Sequence, residues 1–284
     1  MNNLTSYLFE TDAIRVSPAD KPFWYTSGTL SPNYVNTHFV YGSEADACEL
    51  LKFIDSEMSN RMDLPKKLLE KIKKQYETNE IYKDVINVMV NFIKSNINVD
   101  AIDYISGGER RDWYFSVLIA NLLQKPHLTI FKDLEVIQSD FNFEKTELAR
   151  ELNGANVLHI ADLITEAGSY KRMWIPVIRA INGIMKWSVV VVDRLQGGKE
   201  FLESVNVESF SMVNLDKTWF ETILKMGRIT EEQYELTCRF IDNPIETMKD
   251  FLKANPEFIQ NSLNADAKTA ERARMCVESG IYND

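Results

Sequence analysis

The sequence predicts an α/β fold in which a parallel sheet is covered by helices on both faces. Three observations support this prediction. Short apolar segments alternate with helical stretches through the middle of the chain. The apolar run at residues 156–161 is nearly continuous, as is typical of a strand that is buried on both faces. With 284 residues, 45% of them hydrophobic, the chain is long enough to bury a full core.

The expected elements follow one another in a regular order. Residues 44–97 carry apolar side chains at helical spacing, and we expect a break near residues 63–65. Helices are expected at residues 113–123 and 170–181, the second of which contains Pro176 and is expected to kink there. Only short helices are expected from residue 216 onward. The expected strands are residues 99–105, 127–131, 156–161, 188–192 and 209–213.

Composition and charge argue against several classes of protein. The chain has 42 acidic and 32 basic residues and a net charge of −10, which disfavours a general nucleic-acid binder and a protein drawn to anionic lipid. The longest strongly apolar stretch, residues 187–192, is far shorter than the roughly 20 residues of a membrane helix. Cys48, Cys238 and Cys276 match no metal-binding spacing, and residues 1–10 resemble no targeting segment. A cytoplasmic setting is therefore expected.

Three loops leave the carboxyl ends of the expected strands, where parallel sheets bind their ligands. In the middle loop Asp162 comes directly after an expected strand. Its carboxylate is suited to accepting hydrogen bonds from sugar hydroxyls or to binding Mg²⁺. Backbone N–H groups at the start of the next helix, with the hydroxyls of Thr165 and Ser169, are suited to holding a phosphate. The alternative is an ordinary strand–turn–helix with Ser169 as its N-cap. The three loops are residues 106–112, 162–169 and 193–198.

Three motifs also occur in a fixed order and at compatible spacing. Residues 161–169 read A-D-L-I-T-E-A-G-S, residues 27–34 read S-G-T-L-S-P-N-Y, and residues 193–198 read D-R-L-Q-G-G. Together they resemble the type I phosphoribosyltransferases, most closely the orotate phosphoribosyltransferase variety. In that family the first motif binds 5-phosphoribosyl pyrophosphate (PRPP) and the second forms a hood over the base. The resemblance covers roughly residues 7–213, interrupted by a helical stretch at 57–96.

The resemblance implies an architecture and a reaction. It implies a hood segment at residues 1–43, a helical insertion at 44–97, a phosphoribosyltransferase core at 98–215 and a helical C-terminal extension at 216–284. A nucleobase, orotate or a related pyrimidine, attacks the anomeric carbon of PRPP, and pyrophosphate leaves with bound Mg²⁺ as the cofactor. The resemblance also implies a homodimer. Neither a nucleic acid nor a membrane is expected as a partner.

The resemblance also implies roles for individual residues. Three are implied to be catalytic: Asp162 would contact the ribose hydroxyls and the Mg²⁺ carried by PRPP, Arg111 replaces a lysine of the pyrophosphate loop, and Lys132 matches one member of an Arg–Lys pair. Arg194 would bind the orotate carboxylate, a task for which a planar guanidinium is suited. The remaining implied substrate-binding residues are Thr165, Gly168 and Ser169 for the 5′-phosphate, Gly107, Gly108 and Arg110 in the pyrophosphate loop, and Phe23, Tyr25 and Ser27 in the hood.

Departures from the family pattern support a second hypothesis. Ala161 replaces one acidic residue, Ala167 replaces a loop glycine, and Glu166 places a negative charge beside the expected phosphate site. Residues 133–151 hold six acidic and two basic residues where the family has a lysine- and histidine-bearing catalytic loop. The alternative is therefore a non-catalytic PRPP- or nucleotide-binding regulatory protein. A third hypothesis treats the C-terminal helices as a partner-docking module.

Two further features remain. His38, His127 and His159 are expected to be structural, because two of them lie within expected strands. Residues 61–74 contain six basic and two acidic residues. This basic stretch is either a solvated helix face or a patch that attracts phosphate.

Overall fold

The computed structural model describes residues 3–282, which form two compact units. The first unit contains the chain up to residue 13 together with residues 37–215, and the second contains residues 14–36 and the chain from residue 216 onward. The expected hood segment, residues 1–43, is thus divided between the two units. Among the described residues, no helix is both long enough and apolar enough to cross a membrane.

The helices confirm the expected helical region at residues 44–97 and the all-helical C-terminal part. The break falls where expected, since one helix begins at Leu64 with Pro65 in its first turn, where the missing N–H of proline is tolerated. A 3₁₀ turn at Thr37–Tyr41 and a π-helical turn at Tyr170–Trp174 lie in the first unit. The helices are α1 Leu4–Glu10, α2 Glu44–Glu57, α3 Leu64–Thr78, α4 Glu80–Asn96, α5 Trp113–Leu122, α6 Ile175–Ala180 and α7 Gly198–Ser204 in the first unit, and α8 Lys217–Lys225, α9 Glu231–Asp242, α10 Pro244–Ala254, α11 Phe258–Leu263 and α12 Ala267–Ser279 in the second.

The strands form one large sheet in the first unit and two short hairpins in the second. The large sheet has seven strands in the order β11-β10-β9-β5-β6-β7-β8, and its first five strands are parallel, as predicted. The strands are β1 Ile14–Val16, β2 Phe23–Trp24, β3 Leu30–Ser31 and β4 Asn33–Val35 in the second unit, and β5 Tyr104–Gly108, β6 His127–Ile130, β7 Val136–Ser139, β8 Thr146–Leu148, β9 Asn156–Ile164, β10 Ile184–Asp193 and β11 Glu208–Asn214 in the first.

Several expected strand boundaries are wrong. The strand expected at residues 99–105 starts later, because the Asn98 side chain accepts a hydrogen bond from the Asp100 amide at 3.1 Å and begins a 3₁₀ turn. The central strands β9 and β10 run further than expected, so that Asp162 and Asp193 lie within them. The antiparallel strands β7 and β8 were not predicted at all.

The second unit joins the predicted hood strands to the C-terminal helices. Strand β1 pairs with β4 and β2 pairs with β3, both antiparallel. Trp24 and Leu30 of the short strands share a buried core with Phe240 and Met248 of the helices. The indole Nε1 of Trp24 donates a hydrogen bond to Ser262 Oγ at 3.0 Å. The two segments were expected to be separate, and this shared core was not predicted.

Candidate functional site

A cleft of about 310 Å³ opens beyond the carboxyl ends of β5, β6 and β9 in the first unit. This is the position that a parallel sheet favours for ligands, because several loops converge there. The cleft gathers residues from three separate loops. It brings together seven of the predicted site residues, namely Arg110, Arg111, Lys132, Asp162, Thr165, Gly168 and Ser169.

The two predicted glycines of the pyrophosphate loop lie behind the cleft rather than on its wall. Gly107 and Gly108 are buried at the end of β5. A Cβ atom on Gly107 would overlap Ser116 Oγ, and a Cβ atom on Gly108 would overlap the indole ring of Trp174. These glycines therefore permit close packing against the strand, a role in which no larger residue fits.

The predicted hood residues lie in the second unit. The rings of Phe23 and Tyr25 pack on Tyr34, with centroid distances of 5.7 and 5.8 Å. Ser27 is exposed, and its Oγ lies 2.8 Å from Thr29 Oγ1. The hood segment thus has its own internal packing, while the role of these residues in base binding stays a prediction.

Arg194 lies in the turn after β10 and does not line the cleft. Its backbone N–H donates to the Ile164 carbonyl at 3.1 Å. Gly197 in the same turn has φ +88°, a conformation that favours glycine. Gly198 lies directly against the Thr165 carbonyl, since a Cβ atom there would overlap it. The turn is therefore packed on the predicted phosphate loop.

The predicted phosphate loop has an unusual backbone and one unpredicted basic neighbour. Buried Ala167 has φ +58°, which costs a residue with a Cβ atom about 1–2 kcal/mol. Glu166 is exposed and does not line the cleft. Ser169 stands at the N-cap position of the π-helical turn, as the alternative expected, but its side chain makes no capping hydrogen bond. The Arg172 guanidinium lies 3.3 Å from the point that a Cβ atom on Gly168 would occupy.

A pair of carboxyl groups forms the floor of the cleft, and one member, Asp112, was not singled out from the sequence. Its Oδ1 accepts a hydrogen bond from the Asp162 amide and its Oδ2 accepts one from the Gly108 amide, both at 3.0 Å. Asp112 is 7% exposed and Asp162 is 9% exposed. Burial first, and the neighbouring Asp112 charge second, raise the pKa of Asp162 well above its ordinary range.

The basic residues of the cleft differ in how far they are already paired. Arg110 forms an ion pair with Asp55. The Lys132 Nζ lies 3.8 Å from Glu109 Oε1, and the lysine side chain is 60% exposed. Exposed Arg111 has no ion-pair partner among residues 3–282. Arg111 is therefore the cation in the cleft best placed to receive an anionic ligand.

The three histidines are buried, in agreement with their expected structural role. His127 Nε2 lies 2.9 Å from Ser116 Oγ, and burial lowers the pKa of His127 to about 3. Burial and the charge of Arg111 lower the pKa of His38 to about 3. His159 Nδ1 lies 2.9 Å from Ser106 Oγ. With such low pKa values, His38 and His127 are neutral at physiological pH.

Known proteins resemble this chain in both sequence and fold. No family model matches it. The adenine phosphoribosyltransferase of Mannheimia succiniciproducens is 26% identical over 179 residues, which are 56% of this chain and 99% of that enzyme. The orotate phosphoribosyltransferase of Methanocaldococcus jannaschii is 31% identical over 145 residues, which are 51% of this chain and 76% of that enzyme. The chain belongs to the type I phosphoribosyltransferase family.

Solved structures show the same fold. The Leishmania donovani UMP synthase has a TM-score of 0.57 and 17% identity, covering 84% of this phosphoribosyltransferase and 42% of the synthase chain. The orotate phosphoribosyltransferase from Aeropyrum pernix has a TM-score of 0.51 and 17% identity, covering 78% of this chain and 98% of its own. The chain thus spans less than half of the synthase and nearly all of the smaller enzyme.

In this phosphoribosyltransferase the acidic segment at residues 133–151 is folded as a hairpin. Strand β7 pairs antiparallel with β6, and β8 pairs with β7. The Arg61 guanidinium donates to the Asp133 carboxylate at 2.7 and 3.1 Å and to Glu135 at 2.9 Å, and it lies 4.5 Å from the centre of the Phe131 ring. The basic stretch therefore includes a clamp that holds the acidic hairpin, a role that neither expected alternative described.

Arg61→Ala is expected to destabilise this hairpin by about 1–2 kcal/mol, since it removes both ion pairs and the cation–π contact. Hydrogen exchange of the β7 amides measures the change, which should appear as faster exchange there than in β9. Lys66→Ala is the matched control, because it removes a single exposed ion pair with Glu144 and should change exchange little. Unchanged β7 exchange in Arg61→Ala would show that the strand pairing alone holds the hairpin.

Proposed function

We propose that this phosphoribosyltransferase transfers the 5-phosphoribosyl group of PRPP to orotate or a related pyrimidine, releases pyrophosphate, and acts as a cytoplasmic homodimer. The observation that carries the proposal is the convergence of Asp162, Arg111 and the loop at residues 165–169 in one cleft. Amide and hydroxyl donors near a helix start suit a phosphate, and a guanidinium suits a pyrophosphate. The similarity to an orotate phosphoribosyltransferase at 31% identity supports the choice of base.

In the proposed reaction the protein contributes position and charge. A base nitrogen forms a bond to the anomeric carbon while the bond to pyrophosphate breaks, through a transition state with oxocarbenium character. Thr165 and Ser169 hold the 5′-phosphate, and Asp162 accepts hydrogen bonds from the ribose hydroxyls. Arg111 and Lys132 face the leaving pyrophosphate and stabilise the charge that develops on it.

The residues present fit Mg²⁺ that arrives with its substrate. The described residues contain no group of three or more side chains that could hold a metal ion by themselves. Mg²⁺ is commonly bound through one or two carboxylates together with substrate phosphates, and Asp162 with Asp112 supplies such oxygens in the cleft. Held there, Mg²⁺ would neutralise charge on the pyrophosphate.

The proposal is tested by following pyrophosphate release from PRPP and Mg²⁺ with a panel of bases. Orotate, uracil, adenine and hypoxanthine together distinguish an anionic pyrimidine from neutral pyrimidines and from purines. Orotate-dependent release is the expected result. Release with adenine alone would contradict the proposed base, and the absence of both release and PRPP binding would contradict the whole proposal.

The clamped acidic hairpin favours one second candidate, a non-catalytic protein that binds PRPP or a nucleotide. The segment at residues 133–151 is held by Arg61 and paired with β6, and it carries four more acidic residues than basic ones. It therefore offers little stabilisation to a leaving pyrophosphate. Calorimetry separates the two candidates. Tight PRPP binding without pyrophosphate release supports the regulatory function, whereas turnover excludes it.

Arg194→Ala is expected to weaken the binding of an anionic base by roughly 1.5–3 kcal/mol, the scale of a hydrogen bond to a charged group. The KM for orotate should therefore rise at least tenfold. PRPP affinity should change little. Arg179→Ala, which removes an exposed arginine of α6, is the control and should leave both constants unchanged. Equal losses of base and PRPP affinity would show that Arg194 serves the turn rather than the base.

A further inference from the structure

Asp112 occupies the point where two strands of the sheet separate. Strands β5 and β9 pair from Tyr104 opposite Val157 as far as Ser106 opposite His159. Beyond this point the Asp112 carboxylate bridges the strands, since it accepts hydrogen bonds from the Gly108 amide on one side and the Asp162 amide on the other. Its position is therefore set by two strand ends rather than by a mobile loop.

The two carboxyl groups interact with each other and with backbone amides, and the protein uses only part of their hydrogen-bonding capacity. Neither Asp112 nor Asp162 forms an ion pair with a lysine or arginine within residues 3–282. Each Asp112 oxygen accepts one hydrogen bond from an amide and has a second lone pair.

A buried imidazole next to the pair gives an independent indication of a polar ligand. His159 is fully buried, and its Nε2 has no hydrogen-bond partner among the described residues. That atom points toward the pair and lies 3.6 Å from Asp112 Oδ2. The ring is held in this orientation by Ser106 Oγ and by stacking on Trp174. Buried polar atoms are normally satisfied, so His159 adds to the carboxyl pair a polar atom that the described residues leave without a hydrogen bond.

We propose that Asp112 is a specificity-determining residue that, together with Asp162, binds the two neighbouring hydroxyls of a ribose. Adjacent carboxyl groups can each take one hydroxyl of a vicinal diol, and a sugar that lacks one hydroxyl leaves a buried carboxyl unpaired. The inference rests on the proposed function, because it takes the ribose 5-phosphate portion of PRPP as the ligand. It adds selection for ribose over 2-deoxyribose by Asp112, the residue that precedes α5.

Calorimetric titration of the full chain with ribose 5-phosphate and with 2-deoxyribose 5-phosphate tests the proposal. The wild-type protein is expected to prefer ribose 5-phosphate about tenfold or more. In Asp112→Asn this preference should fall below about threefold, while the affinity for 2-deoxyribose 5-phosphate stays within about threefold of wild type. Glu166→Gln removes an exposed acid that does not line the cleft and should keep the full preference.

The possible outcomes separate this inference from the proposed function. An unchanged preference in folded Asp112→Asn overturns the inference and leaves the proposed function standing. An equal loss of affinity for both sugar phosphates shows that Asp112 only joins the strand ends, and this result also overturns the inference. If wild type binds neither sugar phosphate nor PRPP, the proposed function fails as well. If Asp112→Asn does not fold, the wild-type protein is titrated with 2-deoxyribose 5-phosphate and with 3-deoxyribose 5-phosphate. The inference is overturned if the loss of either hydroxyl leaves the affinity unchanged.

Discussion

Trp24→Ala is expected to lower the free energy of unfolding of the second unit by about 3–5 kcal/mol, the usual cost of truncating a large buried aromatic residue. Trp24 is 7% exposed, stacks on Phe258 at a centroid distance of 5.8 Å and donates to Ser262. The variant therefore loses buried area and leaves a polar atom without its partner. Urea denaturation followed by circular dichroism measures the change.

Val277→Ala provides the control for this prediction. Val277 lies on α12 and is 57% exposed, so its truncation should change stability by less than about 0.5 kcal/mol. A loss below about 1 kcal/mol in Trp24→Ala would mean that the short strands and the C-terminal helices do not depend on a common core. That outcome would favour the hypothesis that the helices form a partner-docking module.

Asp162→Asn is expected to abolish PRPP binding and, at the same time, to stabilise the protein at alkaline pH. The folded-state pKa of Asp162 is raised, so between its unfolded value near 4 and its folded value the native state binds more protons than the unfolded state. Stability therefore falls as the pH rises through this range. The neutral amide of Asp162→Asn does not titrate and so avoids this loss of stability. We expect the variant to be about 1–3 kcal/mol more stable than wild type at pH 9.

Denaturation midpoints at pH 5, 7 and 9 test the stability part of this prediction, and calorimetry with PRPP tests the binding part. The difference between variant and wild type should grow with pH. Glu166→Gln removes an acid from the same loop, but an exposed one, and should show no such growth. If Asp162→Asn is less stable than wild type at pH 9, the buried carboxyl pair is not a source of strain in the fold.

The part of the site that lies close together in the chain could be predicted from the sequence. Asp162, Thr165 and Ser169 fall within eight residues, and a buried strand followed by a small-residue loop and a helix determines where they lie. Arg111 and Lys132 were implied by the family resemblance, and both line the cleft because the carboxyl ends of neighbouring parallel strands meet at one edge of the sheet.

The parts that depend on distant partners could not be predicted. Asp112 binds an amide 50 residues away, and Arg61 binds a carboxylate 72 residues away, whereas periodicity reports only on local structure. The strand β7 has only four residues, and its two strand-forming residues, Val136 and Ile137, are too short a signal to stand out in an acidic segment. The acidic composition therefore favoured a loop where the structure has a hairpin.

The core shared by the hood strands and the C-terminal helices also determines the order in which the chain can fold during its synthesis. Trp24 and Ser262 are separated by 238 residues, so the ribosome must add that many residues after Trp24 before the two can meet. Until then the apolar strand residues at 14–36 have no helices to cover them, while the sheet of the first unit already has all its strands by residue 214. Such an uncovered segment is prone to misassembly, and chaperones are expected to bind the nascent chain at residues 14–36.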